Sequence, residues 1–81
     1  MKRKINFYGR LRDAGHGDHI SLDLPSVATA KDVLAAVQSV LGRRSALLTG
    51  CVIATDDSVL HPSDVVPKTG VIAVLPPVCG G

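Results

Sequence analysis

The sequence has no tryptophan and no glutamate, a single methionine, and only two aromatic residues, Phe7 and Tyr8. Without large rings, a core must be assembled from Val, Leu, Ile and Ala. Two adjacent aromatics also make no platform for stacking bases. Charge does not substitute for them. Nine Lys and Arg stand against seven acids, all Asp, for a net charge of +2, so no nucleic-acid partner is expected. Long apolar runs are missing too. Nothing approaches the roughly 20 residues needed to span a bilayer, and no membrane partner is expected. Met1-Lys2-Arg3-Lys4 imitates the basic start of a secretory leader, but Ile5 to Gly9 is too short for the apolar stretch that should follow. Cys51 and Cys79, the only cysteines, do not make a secreted disulfide framework. A single bridge between them stays open, with the compartment weighing against it. The expected location is the cytoplasm.

What is present is one small domain. Its 81 residues are 46% hydrophobic, a composition that argues against disorder. A chain of this size buries about 60% of the surface it exposes when unfolded. Lys4-Ile5-Asn6-Phe7-Tyr8 alternates and predicts a first strand. Ile20-Ser21-Leu22-Asp23-Leu24 predicts a second, closed by Pro25. Asp13 to Asp18, with Gly15 and Gly17, is turn chemistry between them. The pair reads as an antiparallel hairpin.

Thr29 can cap a helix with Asp32 at its positive end. Ala30, Val33, Leu34, Val37, Val40 and Leu41 then form its apolar stripe, and Gly42 ends it. Arg43 to Leu48 can add a short helical turn. Cys51 to Ala54 and Ser58 to Leu60 predict a third and a short fourth strand, and Val71 to Leu75 the strongest strand of the chain. Pro76 and Pro77 stop the ladder, having no N–H to give. The order strand, strand, helix, strand, short strand, strand predicts an α+β fold. Its most economical form is a ubiquitin-like β-grasp, a mixed sheet of four to five strands with one main helix on one face. Residues 1–77 make the domain and 78–81 a flexible tail ending in Gly-Gly.

The chemistry is expected in that tail. Pro76 and Pro77 stiffen the departing chain. The four residues Val78-Cys79-Gly80-Gly81 then reach at most about 14 Å. Gly80 and Gly81 have no side chains, so the segment can thread a narrow channel and carry its carboxylate to another protein's catalytic groups. With glycine at about 7% of average usage, a frayed end would show two closing glycines in roughly 0.5% of chains. A carboxylate is a poor electrophile and must first be activated, for which attack on ATP would give an acyl-adenylate. The sequence has no Gly-rich phosphate loop ending in Lys-Ser/Thr. Activation must therefore come from a partner enzyme, and the chain reads as a carrier whose reactive group is its own terminus.

Phe7-Tyr8-Gly9-Arg10-Leu11-Arg12 and Val71 to Leu75 followed by Pro76-Pro77-Val78-Cys79-Gly80-Gly81 resemble the MoaD/ThiS family of ubiquitin-like sulfur carriers. Within it the resemblance is greatest to the MoaD branch, the small subunit of molybdopterin synthase. That resemblance implies a sequence of steps. A MoeB-like, ubiquitin-activating-like adenylyltransferase would adenylate Gly81 with ATP and Mg²⁺. A sulfur donor enzyme would convert the adenylate to a thiocarboxylate. The tail would then enter a MoaE-like large subunit and give sulfur to the pterin precursor of the molybdenum cofactor, in a heterotetramer. The chain itself would be a non-catalytic sulfur-donor subunit of that sulfurtransferase, binding no cofactor. Phe7, Arg10, Arg12 and Leu75 would meet partners, and Pro76, Pro77, Val78 and Gly80 would thread the channel. Val74-Leu75 stands where the family commonly has two aromatics, still offering an apolar anchor. Cys79 replaces a usual Ala or Ser.

Other readings of the same residues remain. A ThiS-like or tRNA-thiolation carrier shares the tail chemistry. A ubiquitin-like modifier would join Gly81 to lysines of other proteins. For a plain β-grasp binding module the terminus would be irrelevant. Cys51 reads as an inert buried strand residue and Cys79 as a small tail residue. His16 and His19 lack a third metal ligand, and no metal is expected. Lys2-Arg3-Lys4 and Arg43-Arg44 read as solubility charges.

Overall fold

The computed structural model describes residues 2–76. Strands β1 (Lys2–Phe7) and β2 (His19–Asp23) pair antiparallel, with Ile5 opposite Ile20 and Arg3 opposite Leu22. This is the expected hairpin, closed by the Phe7 N–H donating to the Asp18 carbonyl at 2.8 Å. Its connection is more than a turn. A 3-10 helix (Gly9–Ala14) precedes the Gly15 and Gly17 bends. The cause is Leu11, a single apolar residue among polar ones, whose complete burial draws the connection back over the core.

Helix α1 (Ala30–Leu41) begins as its sequence dictates. The Asp32 N–H donates to Thr29 Oγ1 at 3.2 Å, and the Thr29 N–H donates to the Asp32 carboxylate at 3.0 Å, satisfying two otherwise orphaned donors. Ala30, Val33, Val37 and Leu41 are buried and Leu34 is half-buried, whereas Val40, expected in the stripe, stands at its edge and is exposed. The chain turns at Gly42 with a positive φ and continues as a second 3-10 helix (Gly42–Leu48).

Strands β3 (Val52–Ala54), β4 (Val59–Leu60) and β5 (Ile72–Leu75) complete a five-stranded mixed sheet in the order β2-β1-β5-β3-β4. β5 lies parallel to β1 and antiparallel to β3. Ile72, Ala73 and Val74 are all buried, as the continuous apolar run of a central strand requires. Register places Phe7, Val74 and Ile53 on one sheet face, towards α1. Asn6, Ala73, Ala54 and Val59 take the opposite, open face. The architecture is a ubiquitin-like β-grasp, an α+β fold with one main helix on a mixed sheet.

Two of the expected solubility charges have structural roles instead. Arg3 donates to the carbonyls of Pro67 at 2.7 Å and Gly70 at 3.1 Å, tying the loop before β5 to β1. It can do so because it alternates onto the core face beside Leu22. Arg44 donates to the Asp13 carbonyl at 2.9 Å and joins the two 3-10 helices. No helix among the described residues is long and apolar enough to cross a membrane.

Candidate functional site: the root of the C-terminal tail

Parallel pairing brings the ends of β1 and β5 to the same edge of the molecule, with Phe7 beside Val74. Beyond that pair the strands part. Tyr8 stays extended, and Gly9 turns the first chain into its 3-10 helix at φ +60°. The other chain leaves the sheet through Leu75 and Pro76. The two meet closely: a Cβ on Gly9 would lie 3.0 Å from Pro76 Cγ and 3.8 Å from its Cδ. Gly9 is thus the backbone against which the proline ring rests.

Around this exit stand the side chains expected to meet partners, with one exchange. Phe7 is only 1% exposed and belongs to the core, because its register with Val74 turns it towards α1. The neighbouring Tyr8, 41% exposed, is the aromatic at the surface. The Arg12 guanidinium lies 6.0 Å from the Tyr8 ring centroid, at the outer limit of cation–π attraction. Arg10 and Arg12 are both exposed, carried on the 3-10 helix rather than at the end of the strand. Val74 is fully buried and cannot serve as an apolar anchor. Leu75 is half-buried and lies in register with Val52 on the open face. Exposed Val59 and the small side chains of Ala73 and Ala54 continue that apolar strip.

An open concavity of about 190 Å³ adjoins the exit, lined by Lys4, Asn6, Phe7, Tyr8, Arg12 and Asp18. His19 Nδ1 lies 2.8 Å from the Asp18 carboxylate, and that hydrogen bond holds Asp18 below the usual carboxylate range. His16 lies on the neighbouring turn. Among the described residues no three His, Cys, Asp or Glu side chains are grouped to hold a metal ion.

Cys51 precedes β3 and is buried, its thiol donating to the Leu47 carbonyl at 3.3 Å. Burial pushes that thiol up, against a smaller opposing effect of the Arg10 charge. It is a free thiol. Pro77, Val78, Cys79, Gly80 and Gly81 lie outside the described residues, as do the expectations of a threading segment, a Cys51–Cys79 bridge and a reactive terminus.

Sequence reasoning missed Gly9 and Tyr8 as parts of this site. A glycine directly after the first strand, at the height where the last strand ends, was the available signal. It required knowing that the two strands are neighbours.

Comparison of the whole fold gives close matches to small archaeal proteins. SAMP1 from Haloferax volcanii superposes with a TM-score of 0.77 at 16% identity, covering 100% of both chains. A second structure, of small archaeal modifier protein 1 from H. volcanii, gives 0.71 at 16% identity over 95% of this chain and 98% of that one. A Pyrococcus furiosus protein provisionally named molybdopterin converting factor, subunit 1, gives 0.67 at 20% identity over 96% and 99%. At these identities the likeness is one of fold. No curated protein matches the sequence. The family model of ThiS matches residues 5–81, from the first strand through the terminal glycines. The chain therefore belongs to the ThiS family, ubiquitin-type sulfur carriers that work with an activating enzyme and a larger partner enzyme.

Proposed function

We propose that this chain carries sulfur as a thiocarboxylate on Gly81. The observation that carries the reading is the family match running through Gly80 and Gly81. The central strand β5, which leads to that segment, supports it. In the first step a carboxylate oxygen of Gly81 attacks the α-phosphorus of ATP on an adenylyltransferase, and pyrophosphate leaves. In the second, a hydrosulfide equivalent from a sulfur donor attacks the acyl carbon and AMP leaves. The domain supplies the grip, and the segment 78–81 supplies the reach. Tyr8, Arg10, Arg12 and Leu75 form the contact surface, with arginines suited to carboxylates on a partner and Leu75 to an apolar pocket. Pro76, Pro77, Val78 and Gly80 occupy the partner's channel.

For the recipient, the finer reading is a MoaE-like large subunit of molybdopterin synthase, to which the Pro-Pro-Val-x-Gly-Gly ending points by resemblance. The adenylating partner would then be MoeB-like. A second reading has its own observation: the fold matches SAMP1 over the full length of both chains, and the H. volcanii protein is named a modifier. In that case a lysine amine, rather than hydrosulfide, attacks the adenylate and an isopeptide forms at Gly81.

Both readings share the first step. This chain should support adenylyltransferase-catalysed exchange of labelled pyrophosphate into ATP, and a chain lacking Gly81 should not. Undiminished exchange with the truncated chain would rule out the terminus as the activated group. Analysis of the products then separates thiocarboxylate from isopeptide.

A further inference from the structure

The contact between Gly9 and Pro76 does more than allow a turn. Pro76 Cγ, Cδ and Cβ lie 3.0, 3.8 and 3.9 Å from where a Gly9 Cβ would stand, so the ring turns its Cγ corner into the space that the missing side chain leaves. Gly9 is also at φ +60°, where an L side chain is strained. Pro76 has a fixed φ and no N–H to extend the ladder. As it precedes a second proline in the sequence, its own backbone is confined to extended conformations. Three constraints thus converge on one residue: the fixed φ, the restriction before proline, and the contact with Gly9. They set the point and direction in which the chain leaves the sheet.

We infer that Gly9 is a positioning residue for the reaction of Gly81. It touches no reacting atom and contributes no side chain to the contact surface. Its role is to leave room for Pro76 so that the tail is aimed at the partner's active site. The inference rests on the carrier reading and adds to it the residue that sets the tail's direction.

The test uses the full chain and measures pyrophosphate release by the adenylyltransferase as a function of carrier concentration. Gly9→Ala brings both the strained φ and the Cβ. Gly9→Asn brings the Cβ with a residue that tolerates positive φ. Pro76→Ala removes Cγ and Cδ, the two ring carbons nearest the Gly9 Cβ position. Gly9→Asn tolerates the turn that carries Arg10 and Arg12, so its KM should stay within about twofold while kcat falls on the order of tenfold, the scale of a small misplacement at a reacting centre. Gly9→Asn should show this loss with a Tm close to that of the unaltered chain. Combined with Pro76→Ala, the Gly9→Asn change should cost little further activity, because the Cβ and the ring act through one contact.

Unchanged kcat in Gly9→Asn, or losses that multiply in the double variant, would overturn the inference while leaving the carrier reading intact. An unaltered chain that yields no pyrophosphate, with an adenylyltransferase active on another carrier, would overturn the carrier reading and the positioning role together.

Discussion

Single side chains decide much of this small structure, and Arg3 is the clearest case. Its guanidinium spans the Pro67 and Gly70 carbonyls, holding a proline- and glycine-bounded loop that has little apolar matter of its own. Replacing it with alanine leaves two acceptors to solvent and frees the loop that feeds β5. The expected loss is about 1–2 kcal/mol, from two charge-assisted hydrogen bonds that are partly solvated, measurable by urea unfolding. An unaltered midpoint in Arg3→Ala would show the loop to be held by its backbone alone. In the sequence Arg3 was one of three consecutive basic residues. Nothing local marked it as different from Lys2 or Lys4, because its partners lie more than sixty residues away. Phe7 carried the same ambiguity. An aromatic at a strand end can face inward or outward, and only the parity of its register with Val74 decides.

At the scale of elements, α1 follows directly from the sequence. Its N-cap, its apolar spacing and its terminal glycine all act within a few residues of one another. The cap also makes a pH-dependent contribution. The Thr29 backbone N–H donates to the Asp32 carboxylate, the Thr29 hydroxyl adds a smaller effect, and together they hold Asp32 below its ordinary value of 3.8. A carboxylate depressed in the folded state stabilises the fold above its unfolded pKa, and that contribution is lost as pH falls through the folded pKa. Stability should therefore decline below about pH 4, and Asp32→Asn should flatten part of that decline. Thr29→Ala should cost about 1 kcal/mol at neutral pH. A stability profile below pH 4 that Asp32→Asn leaves unchanged would count against the cap. The first 3-10 helix, Gly9–Ala14, was less legible. Leu11 is a lone apolar residue without a period, and its burial depends on a core assembled from distant strands. By contrast Gly42 marked the end of α1, and the short helical turn expected over Arg43 to Leu48 is there as the 3-10 helix Gly42–Leu48.

The whole molecule places its first and last strands side by side in parallel, and the proposed carrier role would use that arrangement to present the terminus. β5 is central, bonded to β1 on one side and β3 on the other, with Ile72, Ala73 and Val74 buried. The β-grasp was readable from the order of the elements. The root of the tail was readable only in part. Arg10, Arg12 and Leu75 were expected as contacts, while Tyr8 and Gly9 join the site through the pairing of strands far apart in sequence. The measurement that tests the account most directly is the intact mass of this chain after incubation with an adenylyltransferase, ATP, Mg²⁺ and a sulfide source. The account predicts a gain of about 16 Da, one oxygen of the terminal carboxylate replaced by sulfur, which disappears when Gly81 is deleted. An unchanged mass, with enzyme and donor shown to thiolate another carrier, would contradict it.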